Sequence, residues 1–131
     1  MIPAIETGGS ARDIGHGVGL YAGNRALVHA NRFVSPSMWS VHAGDGFLNS
    51  RLRQARLERL IEAAWGTLDV EAMMGSRSDL ANYPTSICKQ LAPESARDYG
   101  TIGSVVIDVT TKALHACAGN PCRAEWRMVA L

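Results

Sequence analysis

Ala26-Leu27-Val28-His29-Ala30-Asn31-Arg32-Phe33-Val34-Ser35-Pro36 is the stretch on which the reading of this chain turns. Its first half is apolar enough for a strand buried on both faces, and Asn31 arrives where such a strand would surface. The expected strand covers residues 24–33 and closes at Ser35-Pro36. It would deliver a side-chain amide from the core to a sheet edge.

Before it, residues 1–5 read as a short apolar edge strand ended by Thr7-Gly8-Gly9. Ser10 is placed to cap a helix, which glycines at 15, 17, 19 and 23 weaken. The Gly15-His16-Gly17-Val18-Gly19 cluster lies inside that helical pattern rather than between a strand and a helix, so it is not read as a phosphate loop. After the strand, residues 37–46 mix Trp39, His42 and Asp45 without a period, as in a loop that could cover a pocket.

The clearest helix is expected from a cap at Asn49 or Ser50 to Trp65, stopped by Gly66. Leu57, Leu60, Ile61, Ala64 and Trp65 fall on its apolar face. Arg51, Arg56 and Arg59 project oppositely, whereas Arg53 falls within the apolar arc, where a cation can snorkel or face an anionic substrate group. A second helix is expected from Thr67 or Asp69 through Met74, ended by Gly75, with Met73 and Met74 as core filling. Residues 80–89 read as a proline-initiated passage into a short extended segment, and residues 97–100 as a turn. Residues 101–110 and 113–118 form an expected antiparallel hairpin joined at Thr111-Lys112, and residues 124–131 supply another strand. The expected class is α+β, a mostly antiparallel sheet with packed helices.

Composition limits the function classes. The 131 residues fit one domain, with 47% hydrophobic and 19% charged residues and a formal charge of +1. So small a charge argues against a nucleic-acid partner or an anionic membrane field. No run approaches the roughly 18 apolar residues of a membrane span, and the start lacks a secretory pattern, so a cytoplasmic location is expected. Three cysteines without metal-ligand spacing fit a reducing compartment and give no metal site. Cys117 and Cys122 flank Gly119-Asn120-Pro121 and can approach each other if that turn is tight; otherwise they are small buried apolar residues.

Several stretches, in order, resemble the penicillin acyltransferase family, the acyl-coenzyme A:isopenicillin N acyltransferase-like proteins also classed as C45 peptidases. Ile2-Pro3-Ala4-Ile5-Glu6-Thr7-Gly8-Gly9-Ser10-Ala11-Arg12-Asp13-Ile14-Gly15 is similar to the family's opening strand and helix. Leu27-Val28-His29-Ala30-Asn31-Arg32-Phe33 resembles its strand ending in Thr-Asn-His, with Ala30 and Arg32 replacing the flanking residues. Ser50-Arg51-Leu52-Arg53 looks like its serine-arginine helix start, and Tyr83-Pro84-Thr85-Ser86-Ile87-Cys88-Lys89 its Ser-Ile-Cys-Arg segment with lysine for arginine. Thr101-Ile102-Gly103-Ser104-Val105-Val106-Ile107-Asp108 and Gly119-Asn120-Pro121-Cys122 resemble its closing hairpin.

The resemblance implies an N-terminal-nucleophile-hydrolase-like αββα sandwich, here shortened to a single truncated acyltransferase-like domain of residues 1–131. It implies acyl transfer from a coenzyme A thioester, or amide hydrolysis, by a cysteine whose own freed α-amine is the base. Carried over by position, Asn31 is the oxyanion donor, Ser86 a polar catalytic position and Arg53 a substrate-facing cation. A small-molecule acyl donor or amide is the implied ligand, and coenzyme A thioester the co-substrate.

The departures decide which function is expected. Only residues 18–25 separate the opening helix from the Asn31 strand, where the family carries a long segment with its Gly-Cys cleavage site, and no Gly-Cys pair occurs in this sequence. The expectation is therefore a degenerate, inactive member that binds an acyl ligand without turnover, associates with itself or a fuller family partner, or has no function as an isolated chain. The alternative is a compact active acyltransferase or amidohydrolase using Cys88, Cys117 or a serine. A sheet stripped of strands exposes edges and apolar surface, which favours self-association.

Overall fold

The computed structural model describes residues 26, 28–30, 46–91 and 100–131. The opening strand and helix, the loop before residue 46, Asn31 and residues 97–99 lie outside the described residues. Of the expected 24–33 strand, residues 26 and 28–30 are described, and they belong to neither helix nor strand. By internal packing the chain divides into two units, Met1–Glu58 and Arg59–Leu131.

The described elements are α1 (Gly46–Ala63), α2 (Val70–Arg77), β1 (Gly103–Asp108), β2 (Ala113–Ala118) and β3 (Arg127–Ala130). They form a small α+β arrangement with one three-stranded antiparallel sheet in the order β1-β2-β3.

Helix α1 begins ahead of the expected cap. Ser50 lies inside it, almost fully buried, and its hydroxyl accepts from Arg53 Nη2 at 3.3 Å. In the first unit Gln54 Nε2 donates to the Val28 carbonyl at 3.2 Å, tying the helix to the described part of the upstream stretch. Leu57 and Ile61, one turn apart, are buried as their spacing predicts. Trp65 departs from the expected face and is 43% exposed. The regular helix has ended at Ala63, and the tighter Trp65 N–H to Glu62 carbonyl bond rotates the tryptophan off the stripe. Gly66, at φ +90, occupies the left-handed conformation that stops a helix cheaply with glycine.

Helix α2 starts as expected at Asp69, whose carboxylate accepts the Ala72 N–H at 2.8 Å. It does not stop at Gly75. Ser78 ends it instead, its hydroxyl lying 3.0 Å from the Met74 carbonyl and 3.1 Å from the Pro121 carbonyl. A hydroxyl cap supplied from further along the chain thus displaces the glycine stop. Met73 and Met74 are half-buried.

The hairpin forms with a longer connection than Thr111-Lys112 alone. Strand β1 ends at Asp108 because its carboxylate accepts from Thr110 N, Thr111 N and the Thr111 hydroxyl, leaving residues 109–112 as the connection. Lys112, at φ 55, takes the left-handed position usually given to glycine. Register pairs Val106 with His115 and Asp108 with Ala113. Val106, Ala113 and Cys117 therefore share one face, which is buried, and α2 packs against β1.

The opposite face carries Val105, Ile107, Leu114, Ala116 and Val129, aligned by the pairings Val105 with Ala116, Ile107 with Leu114 and Leu114 with Val129. Val105 and Ile107 are 50% and 51% exposed and Val129 is 56% exposed. An antiparallel sheet with one solvated face ordinarily makes that face polar. This one carries a cluster of apolar side chains there, with the exposed Arg127, opposite Ala116, as its charged member.

Candidate functional site

The segment after α2 was expected to become extended. It forms successive turns instead, closed by Tyr83 N–H to the Leu80 carbonyl and Thr85 N–H to the Asn82 carbonyl, with Asn82 at φ 68. Beyond these turns burial alternates, with Ser86, Cys88 and Gln90 inward and Ile87 and Lys89 half-buried. Two backbone bonds fold the segment onto itself, from Cys88 N–H to the Asp79 carbonyl and from Gln90 N–H to the Pro84 carbonyl.

Thr101 and Asn120 then lock it to the hairpin. Lys89 N–H donates to Thr101 Oγ1 at 2.9 Å while Thr101 N–H donates back to the Lys89 carbonyl, also at 2.9 Å. Asn120 Nδ2 donates to the Lys89 carbonyl at 3.0 Å and to the Thr101 carbonyl at 3.1 Å. One side-chain amide thus satisfies carbonyls from two separate segments, which fixes the 119–124 turn beside the 86–90 segment.

This locking brings two sulfurs together. The Cys88 thiol donates to Cys122 Sγ at 3.0 Å, and Gln90 Nε2 lies 3.4 Å from Cys88 Sγ and 3.3 Å from Cys122 Sγ. Cys88 is 0% exposed, whereas Cys122 is only partly buried. Burial, the hydrogen bond to Cys122 and its charge push the Cys88 thiol up; the Cys122 backbone N–H and the Asn120 side chain oppose this. All three cysteines are free, and the sulfur that Cys122 meets is Cys88 rather than Cys117 across the Gly119-Asn120-Pro121 turn.

Ser86, the expected catalytic serine, is 1% exposed and donates its hydroxyl proton to the Cys88 carbonyl at 2.7 Å. Its role in this geometry is to hold the backbone around Cys88. Arg53, the expected substrate-facing cation, is half-buried and turned back toward Ser50; its Nε is buried with no partner among the described residues. Burial lowers its pKa. Arg51 and Arg59 are exposed as their projection predicts, while Arg56 is half-buried. Asn31 lies outside the described residues. Arg53 and Ser86 belong to different units, and each is described within its own.

Sequence reasoning named Cys88 as an alternative nucleophile but did not find its partnership with Cys122, Gln90 and Asn120. The inward alternation at 86, 88 and 90 was readable as a pattern. The pairing across 34 positions had no local signal. Among the described residues no helix is long and apolar enough to cross a membrane, and no group of three or more metal-ligating side chains gathers. Compared with known proteins, the chain matches no family model and no curated sequence.

Proposed function

We propose that this chain is a truncated, non-catalytic relative of the penicillin acyltransferase-like proteins that acts by association, its apolar sheet face taking a second copy of the chain. The observation that carries this reading is the sheet face on which Val105, Ile107 and Val129 are exposed beside half-buried Leu114 and Ala116, while Val106, Ala113 and Cys117 on the other face are buried. An αββα sandwich stacks such a face on another sheet about 10 Å away. A second copy presents a surface of the same shape and apolar character, and two-fold pairing of like patches is the commonest oligomer geometry. Uncovered, the patch is an aggregation liability.

The two buried thiols, Cys88 and Cys117, support the absence of acyl turnover through them. Acyl transfer needs a nucleophile that substrate can reach, next to a base. Cys88 and Cys117 are both buried, and the Cys88 thiol is pushed up rather than activated.

The test is the solution mass across a concentration series, by sedimentation equilibrium, for the natural chain and for Val105→Lys combined with Ile107→Lys. A dimer that the double substitution dissociates, with the melting temperature retained, is the expected result. A natural chain that stays monomeric at the highest concentration refutes the association. A stoichiometric acyl adduct on a cysteine or serine after incubation with reactive acyl thioesters refutes the non-catalytic reading and favours the compact enzyme.

A further inference from the structure

We propose that Cys88 and Cys122 form a reversible dithiol site whose substrate is a low-molecular-weight disulfide of the glutathione type. The site is independent of the association through the sheet face. Its sulfurs stand 3.0 Å apart, roughly 1 Å beyond the ~2.05 Å covalent S–S bond, so closure needs only a small adjustment. The residues around it are fixed by bonds that do not involve sulfur. Asn120 and Thr101 hold the Lys89 backbone, and Ser86 holds the Cys88 carbonyl.

The two thiols have different access, which sets the order of events. Cys122, partly exposed, meets the small disulfide first; its thiolate attacks one sulfur, forming a mixed disulfide and releasing one thiolate. Cys88, wholly buried behind it, then attacks Cys122 Sγ, forming the internal bond and releasing the second thiolate. The protein's thiols lose two electrons and two protons in total. The small disulfide accepts both electrons, and the protons leave on its two product thiols.

Gln90 is the positioning residue. Its buried Nε2 group reaches both sulfurs and donates to negative charge as it develops on either. Cys117 is on β2 and takes no part.

The experiment equilibrates the full reduced chain with glutathione buffers of increasing disulfide fraction, quenches with acid, alkylates under denaturing conditions and maps the peptides. A single Cys88–Cys122 cross-link is expected, with Cys117 left as the alkylated residue, and full return to three alkylated cysteines after reduction. Cys88→Ser is expected to accumulate a glutathione adduct at Cys122, and Cys117→Ser to close like the natural chain. Gln90→Leu is expected to slow closure several-fold without changing which cysteines pair. Should Cys88→Ser fail to fold, the natural chain and Cys117→Ser still decide the matter. Three alkylatable thiols under the most oxidising buffer, a persistent adduct at Cys122 in the natural chain, or a Cys117–Cys122 cross-link would each overturn the proposal.

Discussion

Asn120 is the residue on which the packing of the second unit is most economically tested. Its Nδ2 donates to two carbonyls, of Lys89 at 3.0 Å and of Thr101 at 3.1 Å. Each bond contributes about 1 kcal/mol net, so Asn120→Ala is expected to cost about 2 kcal/mol. Asn120→Asp keeps the shape but aims carboxylate oxygens at two carbonyl oxygens, of which that of Lys89 keeps its bond from the Thr101 N–H. Its expected cost is larger, about 3 kcal/mol. For a domain of this size about 4 °C of melting temperature follows each kcal/mol, giving losses of about 8 and about 12 °C. Urea unfolding should show the same ranking through the midpoint with an unchanged slope. Thr101→Val removes the oxygen that accepts Lys89 N–H, so it grips the same residue from the other side. A double-mutant cycle with Asn120→Ala should return a coupling of at least about 0.5 kcal/mol. An Asn120→Asp chain as stable as the natural one, or no coupling with Thr101, would show that the amide does not hold these segments together.

Two further predictions concern termini and charge. Asp69→Ala removes the cap of α2 and should cost about 1 kcal/mol in urea unfolding, with Asp69→Ser recovering most of it; equal losses for both would refute the cap. Asp108 is held below the usual carboxylate range by the Thr111 hydroxyl first, then by the N–H groups of Thr110 and Thr111, with His115 a smaller contribution. A depressed folded value means stability present above the unfolded value near 4 and lost as pH falls through the folded one. The urea midpoint of the natural chain should therefore fall more steeply below about pH 4 than that of Asp108→Asn; parallel profiles would remove Asp108 from the acid response.

Periodicity and turn chemistry made most of the described elements legible. The helix through Leu57 and Ile61, the Asp69 start and the antiparallel hairpin all follow from patterns spanning a few residues. What failed did so where a polar side chain a few residues away changed the local outcome. Gly75 reads as a stop only while Ser78 is not seen to cap the helix, and Thr111-Lys112 reads as a two-residue turn only while the Asp108 carboxylate is ignored. The sulfur pair was the least legible feature. Cys122 is close in sequence to Cys117, and local spacing offered at most that neighbour if the turn is tight, yet the bonds from Asn120 set the turn against residue 89 and so against Cys88. The exposed apolar face was legible in alternation, because Val105 and Ile107 stand two apart on one strand. The intervening Val106 is buried on the other side, so β1 presents valine or isoleucine to both faces.

The described residues 78–91 that follow α2 form no helix or strand, yet the amides of Cys88, Lys89 and Gln90 are engaged as fully as a ladder's. Cys88, Lys89 and Gln90 donate in succession to Asp79, Thr101 and Pro84, and Thr101 N–H closes back on residue 89. Irregular backbone here is consequently not slack backbone. In hydrogen–deuterium exchange these amides would open as one cooperative unit, and a protease would find its cut sites in exposed Asn82, Tyr83 and Leu91 rather than between them.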